Sequence, residues 1–121
     1  MMAYNIYIMA YETQIVNGHL AIKKVPVVKT VHLTELAINE DLSLIGLVAA
    51  DSGSYYALQA VGAVRCVNLP LSPVSGFIIT IINRGTTYEI TTMRDGNPLY
   101  NIAPGDSLTL VYGTTFGYFY V

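Results

Sequence analysis

Apolar residues along this chain come in short alternating runs broken by turn residues, the period-two pattern of strands with one covered face. The first third holds Ile6-Tyr7-Ile8, then Thr13 to Ile22 interrupted by Asn17-Gly18. Asn-Gly between two alternations predicts a tight hairpin, because both residues accept the positive φ of a type I′ turn. Val25 to Leu33 predicts an extended segment. Pro26 belongs at its start or on an open edge, since it has no N–H to give. Residues 34–41 are the least strand-like part and predict a loop or a single turn. This seam divides an N-terminal arm and hairpin, 1–34, from an antiparallel β-domain, 35–121, within one compact domain overall.

From Asp51 onward the rhythm is regular. Strands are predicted at Tyr55–Ala60, Ala63–Leu69, Phe77–Ile82, Thr86–Thr92, Leu99–Ile102, Ser107–Tyr112 and Thr115–Val121, with Gly, Pro, Asn and Asp between them. Phe77–Ile82 is apolar at nearly every position, as in a strand covered on both faces. In it, Ile79 and Ile81 alternate with Ile78 and Ile82, so one pair is expected in the interior and the other at a subunit contact or under a second covering layer. Strands at this spacing predict an all-β fold, an antiparallel β-sandwich or jelly-roll-like barrel preceded by the arm and hairpin.

Composition adds a second point. The chain has 121 residues, 53% of them hydrophobic and only 12% charged, with ten tyrosines, three phenylalanines and no tryptophan. A well-behaved soluble surface is about 25–35% charged. A chain this poor in charge is expected to bury much of its exterior against other copies, as a homo-oligomer. The net charge of −2 comes with six scattered cations, of which only Lys23-Lys24 are adjacent. No basic stripe invites nucleic acid, and no apolar stretch is long enough to predict a membrane span. The single cysteine, Cys66, excludes a disulfide within the chain and reads as a small core residue. The first ten residues carry no basic leader and are not expected to be a signal peptide.

Candidate chemistry is sparse. His19 and His32 stand alone in strand-like runs, without the clustered Cys, His or acids that metal spacings need. Glu40-Asp41 and Asp51 could meet across a loop around calcium, but no Asp-X-Asp-X-Asp pattern supports it. Asp51-Ser52-Gly53 lacks the Gly-X-Ser-X-Gly frame of a nucleophile elbow. Arg84-Gly85-Thr86 and Arg94-Asp95-Gly96 read as hairpin tips. No catalytic, cofactor-binding or metal-ligating residue is therefore assigned, and an enzyme is not expected. The last strand is different. Phe116, Tyr118 and Tyr120 share one face by alternation, and Phe119 and Val121 share the other with Gly117. The expectation is that Phe119 and Val121 point inward. The other three aromatics, with Tyr4, Ile6, Tyr7 and Ile8 of the arm, are then expected to meet a neighbouring chain. A platform for stacking sugars is the alternative use of these aromatics.

The half of the chain after Tyr55 also carries a resemblance. It contains Arg65-Cys66-Val67-Asn68-Leu69-Pro70, then Ser75-Gly76 leading Phe77–Ile82 into Asn83-Arg84-Gly85. Pro104-Gly105-Asp106 leads Ser107–Tyr112, and Gly117-Tyr118-Phe119-Tyr120-Val121 closes the series. This order resembles the small β-domains of tailed-bacteriophage virion proteins, found in capsid decoration (cement) proteins and at the tips of tail spikes and fibres, commonly as trimers. The resemblance implies a structural protein on the capsid surface of a virion, made in the host cytoplasm. Its partners would be its own copies, as a homotrimer, and the major capsid protein of the phage shell. A short chain without shaft repeats suits the decoration role. A receptor-binding or tail-tip module, or a small lectin-like β-sandwich, is the alternative.

Overall fold

The computed structural model describes the backbone of residues 2–121 and the side chains of residues 17–19 and 31–121. Strands fill most of it: β1 (Met2–Val16), β2 (His19–Ile38), β3 (Leu42–Ser43), β4 (Ser54–Ala60), β5 (Arg65–Asn68), β6 (Ile78–Asn83), β7 (Ile90–Arg94), β8 (Asn97–Ile102), β9 (Ser107–Gly113) and β10 (Gly117–Tyr120). A single 3-10 turn, Ala49–Asp51, interrupts them. The fold is all-β.

The strands form two sheets, one ordered β1-β2-β4-β6-β9-β10 and one ordered β3-β5-β7-β8. The expectation of antiparallel pairing throughout does not hold. β2, β4 and β6 are parallel neighbours, and so are β3, β5 and β7. Parallel neighbours need a crossover. Here each crossover passes through the other sheet: from β2 to β7 the chain adds one strand to each sheet in turn. Only the hairpin β1–β2 and the closing pairs β7–β8, β6–β9 and β9–β10 are antiparallel. The sheets stay separate and do not close into a barrel.

Both sheets supply one core. Tyr56, Leu58, Ile79, Ile81 and Leu110 of the larger sheet cluster with Val67, Ile90 and Ile102 of the smaller, and with Leu69 and Phe77 beside them. In β6 the burial alternates: Ile79 and Ile81 are in the core, while Ile78 and Ile82 are only half-covered. The continuous apolar run therefore marks a strand covered fully on one face and partly on the other.

Two turns follow local chemistry closely. Asn17 and Gly18 have φ of 51° and 76°, and Asp95 and Gly96 have φ of 50° and 76°. Both are positive-φ pairs between adjacent antiparallel strands, as the type I′ rule requires. By contrast, Arg84-Gly85 is not a hairpin tip. It carries the chain from β6 in one sheet to β7 in the other, and β7 starts only at Ile90. The buried Asn83 anchors this detour. Its side-chain amide donates to the carbonyls of Tyr88 and Ile102, both at 2.9 Å, and its Oδ1 accepts the Gly85 N–H at 3.0 Å.

Residues 34–38, expected to be a loop, are the end of β2 and pair with β4 through Ile38↔Ala60. Ile38 is buried. A neighbouring strand overrides weak local preference here, and β2 is continuous across residues 34 and 35.

The first hairpin is unusually long. β1 and β2 share fifteen register pairs, Met2↔Leu33 to Val16↔His19, a ribbon of about 50 Å. Among the described pairings only Leu33, at its base, also has β4 beside it. The rest is two-stranded.

Candidate interaction surface

The C-terminal strand inverts the expected parity. Tyr118 lies in the core at 6% exposure, while Phe119 and Val121 are exposed. The reason is a specific bond. The Tyr118 hydroxyl donates to the Pro70 carbonyl at 2.8 Å, reaching the loop that follows β5. Its ring packs edge-on against Tyr112 at 5.1 Å. A phenylalanine facing inward would leave that carbonyl without a donor, and buried polar groups seldom go unpaired. Tyr120, on the same side, is at the rim, 64% exposed, with its ring edge-on to Tyr100 at 5.4 Å. Phe116 is in the preceding turn and 85% exposed. Of the aromatics assigned to a neighbouring chain, Tyr118 is thus committed to its own core. The side chains of Tyr4, Ile6, Tyr7 and Ile8 lie outside the described residues; their backbone is in β1.

Burial pushes the Tyr118 phenol up to about 12, with Arg94 pulling the other way. A group held neutral in the folded chain and free to ionise near its ordinary value of about 10 when unfolded favours the fold below that pH. Its contribution is lost as pH rises from about 10 to about 12. Tyr118→Phe is expected to lower stability at pH 7 by about 1–3 kcal/mol, because the Pro70 carbonyl loses its donor. The variant should also show a shallower loss of stability between pH 10 and 12, measured by urea unfolding at each pH.

Arg94 is a residue that sequence reading passed over as part of a turn. Its Nε donates to the Leu71 carbonyl at 2.8 Å and its Nη2 to the Tyr112 hydroxyl at 3.1 Å. The guanidinium lies 5.1 Å from the Tyr112 ring centroid, within cation–π range. It fastens the β7–β8 hairpin to the loop after β5 and to β9. A Cβ at Gly117 would come within 2.9 Å of Nη1, so that glycine makes room for the clamp.

Two of the loop acids weighed as calcium ligands, Asp41 and Asp51, hydrogen-bond to backbone N–H groups. Asp41 Oδ1 accepts the Cys66 N–H at 2.9 Å and Asp51 Oδ2 accepts the Val48 N–H at 2.8 Å. Among the described residues no three His, Cys, Asp or Glu side chains are grouped to hold a metal. Cys66 is part-exposed, not a full core residue; burial, then Asp41, pushes its thiol up.

What remains is surface. On the outer face of the larger sheet the register aligns Phe119, Val111 and Ile78 in one row, and Leu33, Tyr55, Thr80 and Thr109 in a second. A third holds Glu35, Ala57, Ile82 and Ser107. Thr80 and Thr109 hydrogen-bond to each other at 3.0 Å. Glu35 is the one charge in these rows. At the Phe119 end an open hollow of about 380 Å3 is lined by Ser75, Gly76, Gly113, Thr115, Phe116 and Phe119 among others, with no charged residue. The chain exposes 7503 Å2, against about 6,400 Å2 for a compact chain of this mass. A sheet face with one charge in these rows is poor in charge beside an ordinary solvated surface. No protein-family model matches the chain, and no curated protein matches it either.

Proposed function

We propose that this all-β chain is a structural subunit of a phage virion, a decoration (cement) protein that binds and stabilises the assembled capsid as a trimer. In this reading the two sheets with their shared core form a β-sandwich body, and the ribbon is an arm laid against neighbouring chains. The observation that carries it is the ribbon itself. A two-stranded hairpin is at best marginally stable in water, so fifteen rungs without a third strand beside most of them call for a cover. The outer face, with Glu35 as the one charge in its rows, and the excess exposed area support the same reading. The action is mechanical, without turnover. A standard interface of about 1,600 Å2, a little over half of it apolar, provides a gross term on the order of 20 kcal/mol. Association entropy offsets much of this, and many copies on a shell multiply what is left.

Light scattering on the purified chain should give the mass of three copies, and the trimer should bind expanded empty capsids. Deleting residues 1–10 should reduce assembly and capsid attachment far more than it lowers the β signal in circular dichroism. A stable monomer at micromolar concentration would remove the oligomeric reading, and undiminished attachment after the deletion would remove the arm. The hollow beside Phe116 and Phe119 favours a second reading, a receptor-binding module of a phage tail tip, or a small lectin-like sandwich, stacking a neutral sugar on those rings. Binding to host cells or glycans in place of capsids would select it.

A further inference from the structure

The larger sheet ends in two open edges, β1 and β10. Proteins blunt open edges with proline, lysine or very short strands. The other open edges of this chain are blunted. β8 carries Pro98, β3 has two residues, and the open side of β2 over residues 19–32 carries Pro26 with Lys23, Lys24 and Lys29. β1 has no proline, lysine or arginine in its fifteen residues and one charge, Glu12. β10 has neither proline nor charge. Among the described strands, the two unblunted edges are thus the two ends of one sheet.

They are also matched in level and direction. One row crosses the sheet from Met2 through Leu33, Tyr55 and Thr80 to Thr109, and the Val121 N–H donates to the Thr109 carbonyl at 3.1 Å at its far end. The four residues of β10 therefore stand beside the levels that the first rungs of β1 occupy. β10 runs in the direction of β2, opposite to β1, so that the two would meet antiparallel. The Val121–Thr109 bond also sets which groups are free. Inward bonds alternate along an antiparallel edge, so Phe119 and Val121 bond towards β9 while the N–H and C=O groups of Tyr118 and Tyr120 face away from it. The Tyr118 carbonyl has the Tyr100 hydroxyl at a long 3.5 Å and keeps a second lone pair.

We propose that the sheet continues from one copy of this chain to the next, by antiparallel pairing of the β10 edge with the β1 edge of a second copy. This rests on the oligomeric part of the proposed function and names its surface; it does not depend on the capsid. The contact is heterologous, since different edges meet. Contacts of that kind close into rings when the rotation allows, and a ring of three covers every β10 edge and the first rungs of every β1 edge.

Tyr120→Pro removes one outward N–H and leaves the bonds of Phe119 and Val121 to β9 in place. With one donor lost at each of three contacts, trimer formation should weaken by about a hundredfold, read by analytical ultracentrifugation, while Tyr120→Ala, which keeps the N–H, weakens it much less. Hydrogen exchange on the unmodified trimer provides a test that needs no variant. The amides of Tyr118 and Tyr120 should be protected as strongly as those of Phe119 and Val121. A trimer whose Tyr118 and Tyr120 amides exchange like free ones overturns edge pairing and leaves the oligomeric reading standing. A folded Tyr120→Pro chain that trimerises as before does the same. An unmodified chain that is monomeric overturns both.

Discussion

Replacing Asn83 by leucine is expected to remove about 3 kcal/mol or more of folding stability, although the two side chains are close in size. Asn83 is fully buried and its amide holds three backbone groups: the Tyr88 and Ile102 carbonyls and the Gly85 N–H. Its own backbone ties the same corner, donating to the Asp106 carbonyl at 2.9 Å and accepting from the Gly105 N–H at 2.8 Å. Leucine deletes the side-chain partner of two buried groups, the Ile102 carbonyl and the Gly85 N–H, and of the part-buried Tyr88 carbonyl, each buried group left unpaired costing about 1–3 kcal/mol. A small domain has about 5–15 kcal/mol in total, so the variant should be partly unfolded at ambient temperature. The measurement is the urea midpoint. A shift worth less than about 1 kcal/mol would mean that the corner relaxes or that water replaces the amide.

Phe77→Ala should be comparably severe. Phe77 is fully buried at the entrance to β6 and sits in the core shared by both sheets. Its backbone is held at both ends: the N–H donates to the Val74 carbonyl at 3.0 Å, and the carbonyl accepts the Tyr112 N–H at 2.8 Å. The backbone therefore has little freedom to collapse into the space the ring leaves. Loss of a buried phenylalanine costs about 3–5 kcal/mol, the higher values arising where the cavity persists. Thermal unfolding followed by circular dichroism reads the effect directly. A variant within about 1 kcal/mol of the parent would show that the two sheets close over the gap.

The two variants probe different halves of what makes the body one unit. Phe77 acts through apolar volume and Asn83 through directional bonds that tie the end of β6 to the end of β8. Neither contact belongs to the ribbon or the outer face, so both variants should leave assembly intact in whatever fraction remains folded.

Local sequence determined more of this protein than its topology. Period-two alternation located β4, β6 and β9 to within a residue or two, because alternation is a property of each strand alone. Asn17-Gly18 and Asp95-Gly96 marked their turns, because positive φ is a demand on single residues. The scarcity of charge is legible in composition alone, and the outer rows from Phe119 to Leu33 hold only uncharged residues. Tertiary structure decided the rest. Which strands lie side by side depends on contacts far apart in sequence, so the parallel stacks β2-β4-β6 and β3-β5-β7 left no local trace. The strand at residues 34–38 exists because β4 lies beside it. In β10 the alternation offered two faces of equal apolarity. The choice fell to Tyr118, because only a hydroxyl at that position reaches the Pro70 carbonyl, a partner 48 residues away. Arg94 became a clamp for the same reason: its acceptors, Leu71 and Tyr112, come from segments that only the folded chain brings to it.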